Sequence, residues 1–264
     1  MERERKIKEL ISQYKDGSIQ EKCAAIADLE EMDAKEALPV LLESLDYPDA
    51  GVRANIASAL GELGDKSVGA PLLTLLKDSD SLVRIKAAES LGLLNYVEGI
   101  DLLAQVLHAD NDPLVRLHAA EALRMVKNIK ALPHLIKALD DPDKRVRAYA
   151  ADSIGHIGVV DALPILIEKL DSEQSQFTRA FLLSSLYQLG DENSLASLVK
   201  MSEYAADDLA VTILNLAIEL ASPQNADSLK DMIKEATQSR PTLHTERDSL
   251  INRLGLFHDT SNAT

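Results

Sequence analysis

Tryptophan is absent, and aromatic residues make up only 3% of the 264-residue chain. Large rings therefore cannot build the core, and leucine and alanine must fill it. One cysteine, Cys23, excludes an intramolecular disulfide framework. Its phase in the first unit described below reads as that of an inert small apolar residue. No run of eighteen apolar residues occurs, which excludes a spanning helix. The stretch MERERKIKELI lacks the apolar segment of a secretory signal, so a cytoplasmic address is expected. No glycine-rich phosphate loop, serine nucleophile elbow or Cys–His pairing is found. Cations are scarce, at 28 against 43 acids, for a net charge of −15. Phosphate-backbone binding needs Lys and Arg gathered on one face, so nucleic acid is not an expected partner. A basic protein partner fits the field, and an acidic surface also keeps copies of the chain apart.

What the chain has is a repeat. Arg53, Arg84, Arg116, Arg147 and Arg179 are separated by 31, 32, 31 and 32 residues. Around them run DYPDAGVRANIASALGELG, KDSDSLVRIKAAESLGLLN, ADNDPLVRLHAAEALRMVK and DDPDKRVRAYAADSIGHIG. Self-similarity at this period predicts a stacked array, and 46% apolar content is enough to bury a continuous core. Each unit reads as two helices. In 37–64 the first carries Leu38, Leu41, Leu42 and Leu45 at helical spacing, with Pro39 in its first turn. The proline recurs as Pro71, Pro133 and Pro164, and Asp101 takes its slot once. The second helix starts near Gly51 and buries Val52, Ile56, Ala57, Leu60 and Leu63. Gly64 is expected to close it in the left-handed conformation. Seven residues after each arginine stand Leu60, Leu91, Leu123, Ile154 and Leu186. Pairs such as Ala87–Ala88, Ala119–Ala120 and Ala150–Ala151 let neighbouring helices approach.

The array begins before the first arginine, since Lys22 lies 31 residues ahead of Arg53. It decays after residue 190, where Asp208 or Leu209 is expected in the arginine slot. The expected organisation is one solenoid over 1–264. It has a polar capping helix over 1–15, repeats over 16–200, a degenerate repeat and C-terminal cap over 201–256, and a frayed tail over 257–264.

With the proline, the Asp-rich turn and the Val-Arg pair placed, these units resemble HEAT repeats. More narrowly they look like the short bacterial subtype named after phycobilisome lyases. The resemblance implies an all-α, right-handed α–α superhelix. Asp78, Asp110, Asp141 and Glu173 stand six residues before Arg84, Arg116, Arg147 and Arg179. In HEAT-like arrays such residues form a structural ladder of ion pairs between consecutive turns. Family members include adaptors, bilin lyases, metalloenzymes and DNA-repair proteins. Di-iron members carry repeated His-Glu pairs, whereas none of the six histidines here is followed by Glu. Lyase members carry an early Tyr- and Trp-rich cluster, where this chain reads ANIASALGEL. No metal, cofactor or catalytic residue is expected.

In this family the second helices line the concave face, and the arginine serves as a ruler along them. Two residues beyond it come Asn55, Lys86, His118, Tyr149 and Phe181. Five beyond come Ser58, Glu89, Glu121, Asp152 and Ser184, and nine beyond come Glu62, Leu93, Met125, His156 and Gln188. The core columns hold constant while these vary, as a recognition surface would. The expected protein-binding residues are Lys86, Glu89, His118, Glu121, Met125, Tyr149, Asp152 and Phe181. The expected function is a non-catalytic protein-binding scaffold or adaptor. Two alternatives stay open: a lyase-like or chromophore-handling accessory, and an acidic inhibitor or immunity protein against a basic toxin or enzyme.

Overall fold

The structure is a computed structural model that describes residues 1–64 and 66–259, with side chains through 254. Among the described residues every regular element is helical. The helices group into two compact units, Met1–Asp141 and the chain from Pro142 onward.

Unit 1 contains α1 (Glu2–Asp16), α2 (Ile19–Glu31), α3 (Leu38–Leu42), α4 (Ala50–Leu63) and α5 (Gly69–Leu75). It continues with α6 (Ser81–Leu93), α7 (Ile100–Ala109), α8 (Pro113–Val126) and α9 (Leu132–Ala138). The second helices of successive units, α2, α4, α6 and α8, pack each against the next. Helix α1 covers α2 with Ile7, Leu10 and Tyr14 and leaves its charged side to water. Unit 2 contains α10 (Lys144–Ile157), α11 (Leu163–Ser172), α12 (Gln176–Gln188) and α13 (Asn193–Met201). It ends with α14 (Asp207–Glu219), α15 (Ala226–Thr237) and α16 (His244–Asp259). Here α12 packs on α10, α13 and α14, while α16 packs on α14 and α15. Residues 260–264, most of the stretch expected to fray, lie outside the described residues.

The turn chemistry explains why the second helices start where they do. Four residues before each ladder arginine, Asp49, Asp80, Asp112 and Asp143 accept a hydrogen bond from a first-turn N–H. Ser175 caps α12, and Ser18 forms a reciprocal capping box with Glu21 on α2. The caps place the ruler residue three positions into its helix every time, at Lys22, Arg53, Arg84, Arg116, Arg147 and Arg179. The same count in α14 lands on Ala210. The arginine slot there is thus Ala210, and neither Asp208 nor Leu209.

Gly64 also departs from expectation. Its backbone is extended, with φ −82°. A Cβ there would stand 2.3 Å from the Leu60 carbonyl oxygen and 2.7 Å from Val68, so close approach demands the glycine. Left-handed residues instead follow other helices: Asp33 after α2, Asn95 after α6, Lys127 after α8, Gly158 after α10 and Gly190 after α12.

Small residues form the seams between stacked helices. A Cβ on Gly61 would meet Ser90 Oγ at 2.4 Å, and one on Gly155 would meet the Ser185 Cα at 2.9 Å. The serine hydroxyls turn back to donate to Ala57 and Ala151 carbonyls on the facing helix, both at 2.8 Å. Each seam therefore satisfies a buried hydroxyl while bringing two backbones together. Cys23 is only half-buried.

Candidate functional site

The arginines are held away from the varying columns. Arg53 grips Asp78 with Nε and Nη2, both at 2.7 Å. Arg84 holds Asp110 at 2.7 and 2.9 Å, Arg116 holds Asp141 at 2.8 and 2.8 Å, and Arg147 holds Glu173 at 2.7 and 2.9 Å. Each forked bond ties one repeat to the turn of the next, 25 or 26 residues on. The Nη1 of Arg53, Arg84 and Arg116 donates to the carbonyl six residues earlier. Asp78 and Asp110 therefore each give the backbone carbonyl to their own arginine and the carboxylate to the preceding one. Arg53 and Arg147 hold Asp78 and Glu173 below the usual carboxylate range, against a smaller upward push from burial. Arg53 and Arg84 are correspondingly pushed up.

The ends of the ladder differ. Lys22 donates to the Tyr14 and Lys15 carbonyls, and its Nζ lies 5.5 Å from the Tyr14 ring and 5.6 Å from the Tyr47 ring. Tyr47 occupies the slot where later units carry the acid. Arg179 donates through Nη1 to the Leu170 and Glu173 carbonyls and has no carboxylate partner among the described residues.

In unit 1 the three columns meet on α6 and α8. Glu89, Leu93, His118, Glu121, Ala122 and Met125 line a depression of about 270 Å³. Leu93 is 49% exposed. The charged groups around it are mutually paired. Lys86 Nζ is 2.8 Å from Glu89 Oε2, and Arg124 Nη2 is 3.5 Å from Glu121 Oε1. His118 Nδ1 sits between the two acids, 3.1 Å from Glu89 Oε1 and 3.6 Å from Glu121 Oε2. That nitrogen is buried and makes no aligned hydrogen bond. Four residues before Lys86 and His118, Leu82 and Leu114 are 49% and 41% exposed. Sequence counting began at the second residue past the arginine and missed this fourth column, which one helical turn backwards reaches.

In unit 2 one expectation is corrected. Phe181 is 8% exposed and belongs to the core of this unit. Its ring lies 5.0 Å from Phe177 and is stacked 5.7 Å from Tyr149. Ser184 beside it is buried as well. A ring flanked by two others removes more apolar surface from water by turning inward than by standing out. Tyr149 and Asp152 are half-buried, and the His156 ring lies 3.4 Å from Asp152 Oδ1.

Two larger depressions lie elsewhere. One, of about 620 Å³, is lined by Asp101, Ala104, Gln105, His108, Ala109 and His134. The other, of about 700 Å³, lies between α15 and α16. Neither combines an exposed leucine with a paired-charge rim. The His108 and His134 rings stand 5.8 Å apart. Burial first, then Lys137 and His134, push His108 below its ordinary value. Among the described residues no three or more His, Cys, Asp or Glu converge as metal ligands, and no helix is long and apolar enough to cross a membrane.

A helical array with a recurring Pro, Asp turn and arginine ladder defines a class. The sequence pattern of the HEAT repeats family matches residues 7–91, 48–124, 69–144 and 132–219, and the chain belongs to that family. No curated protein matches it. Among solved structures it is similar to the complex of CpcE and CpcF of phycocyanin lyase from Nostoc, at 20% identity over 93% of each chain with TM-score 0.52. It is also similar to Escherichia coli YibA, at 20% identity over 96% of this chain and 95% of that one, with TM-score 0.57. These likenesses establish the all-α solenoid fold.

Proposed function

We propose that the chain is a non-catalytic protein-binding scaffold, and that its contact centre is the α6–α8 face of unit 1. The supporting observation is the depression at Leu93 and Met125, an apolar floor with Glu89, His118 and Glu121 at its rim. Exposed Leu82 and Leu114 extend the apolar area along the same two helices. Interfaces place such a floor at their centre and polar groups around it.

Lys86 and Arg124 offset Glu89 and Glu121, so this face recognises its partner by shape and apolar contact more than by net charge. That sets it apart from the acidic-inhibitor reading, in which binding would weaken steeply with salt. No observation in the site favours the chromophore-handling reading.

A photo-crosslinking residue at Leu93 tests the proposal in the native cell, with the same residue at Gln105 as control. A partner captured from position 93, not from 105, and lost in Met125→Asp supports it. Equal capture from both positions sinks it. Tenfold weakening of the captured complex between low and physiological salt would favour the acidic-inhibitor reading instead.

A further inference from the structure

We infer that Arg179 and Tyr204 form a second contact site, in unit 2, whose ligand is a carboxylate side chain of an acidic partner segment. The inference is independent of the α6–α8 face.

Four arginines in this chain show what the position holds. In each, Nε and Nη2 present two parallel donors and take both oxygens of one carboxylate at 2.7 to 2.9 Å. Arg179 stands at the same place in its helix, three residues past the start of α12. Its Nη1 is anchored, as in Arg53, Arg84 and Arg116, to the carbonyl six residues earlier, here Glu173 at 3.2 Å. A second anchor to the Leu170 carbonyl at 2.5 Å further restrains the guanidinium. The planar fork is thus restrained before any acid arrives, and little rotamer entropy remains to be lost.

The residue in the acid slot, six before Ala210, is Tyr204. At the other end of the ladder Tyr47 in that slot lies near the Lys22 ammonium. Tyr204 instead projects outward and is 79% exposed. The neighbouring Glu203 raises the Tyr204 phenol, and Arg179 makes no bond to Glu203. The Nε and Nη2 edge therefore meets no internal acid among the described residues. An exposed tyrosine in the acid slot that follows an arginine fork has the composition of an interface anchor. Carboxylate is the matching ligand, because the fork takes it through two charge-assisted bonds.

The test uses the full chain labelled with nitrogen-15, following the arginine Nε–H resonances by NMR with acetate as the probe. The expected result is a saturable shift of the Arg179 resonance in acetate beyond that in chloride at equal ionic strength. Resonances of Arg53, Arg84, Arg116 and Arg147 should stay fixed. Tyr204→Asp should move the Arg179 resonance to the ladder group, abolish the acetate response and raise the thermal midpoint by about 2–4 °C. Three outcomes overturn the inference. In the first, the wild-type resonance already lies with the ladder group and returns on Glu203→Gln, so an internal acid holds the fork. In the second, acetate acts no differently from chloride. In the third, inorganic phosphate shifts the resonance and acetate does not, so the site is not a carboxylate site.

Discussion

Gly61 of α4 faces Ser90 of α6 so closely that an added Cβ would stand 2.4 Å from the hydroxyl oxygen and 2.8 Å from the Cα. The contact includes backbone, so a rotamer change cannot relieve it. Gly61→Ala should destabilise unit 1 by about 1–3 kcal/mol, as overpacking does in a well-filled seam. Adding Ser90→Gly removes the side-chain clash but leaves the Cα, so it should rescue only part of the loss. Urea unfolding of the single and double variants reads this directly, and full rescue would show that the seam is set by the side chain alone.

The ladder makes a prediction about acid. Arg53 and Arg147 hold the folded-state values of Asp78 and Glu173 below those of the unfolded chain. Their stabilisation is therefore complete above the unfolded carboxylate range, near pH 4, and is lost as pH falls through the folded values. The ladder's contribution to the thermal midpoint should stay level from about pH 7 to 5 and fall steeply below about pH 4. Arg147→Gln should lower the neutral-pH midpoint and flatten the acid limb. Arg147→Lys should recover little of the loss, since an ammonium cannot supply the two-pronged bond.

His108 titrates in a separate window. Burial, then Lys137 and the His134 ring, disfavour its charged form, with Asp141 opposing them. Its folded value lies below about 6.5, so the fold binds fewer protons there than the unfolded chain. Stability should be full above that value and decline as pH falls through it toward the folded value. His108→Gln should remove the part of the slope lying between neutrality and the onset of carboxylate titration. If wild type and variant keep parallel midpoints across that window, the burial of the imidazole has been misjudged.

How far the sequence could be read follows from what a period encodes. The helix pairs, the buried leucines and the site columns on α6 and α8 all follow from counting from an arginine. Direction around a helix is periodic, but depth depends on what lies opposite. Phe181 shares the column of Lys86 and His118, yet Phe177 and Tyr149 enclose it. The slot after Arg179 holds no arginine to mark it, yet a further step of 31 residues lands on Ala210, and the start of α14 gives the same position. Spacing left open which arginine each acid serves. That depends on the turn carrying the carboxylate back to the preceding unit, as in Arg84 with Asp110.

Depth separates two residues that counting treats alike, and their truncation should separate them too. Phe181→Ala empties a buried volume among Phe177, Tyr149 and the α12 core, which should cost about 3–5 kcal/mol. Leu93→Ala removes a side chain 49% exposed, and its effect on stability should stay within about 0.5 kcal/mol. Partner binding should respond in the opposite order. Leu93→Ala should weaken capture while the fold stays intact, whereas Phe181→Ala in unit 2 should lower the unfolding midpoint and leave capture by its folded fraction unchanged. Denaturant midpoints and capture at matched folded protein decide the matter. A Leu93→Ala chain that keeps both its midpoint and its partner would remove the α6–α8 depression from the binding surface.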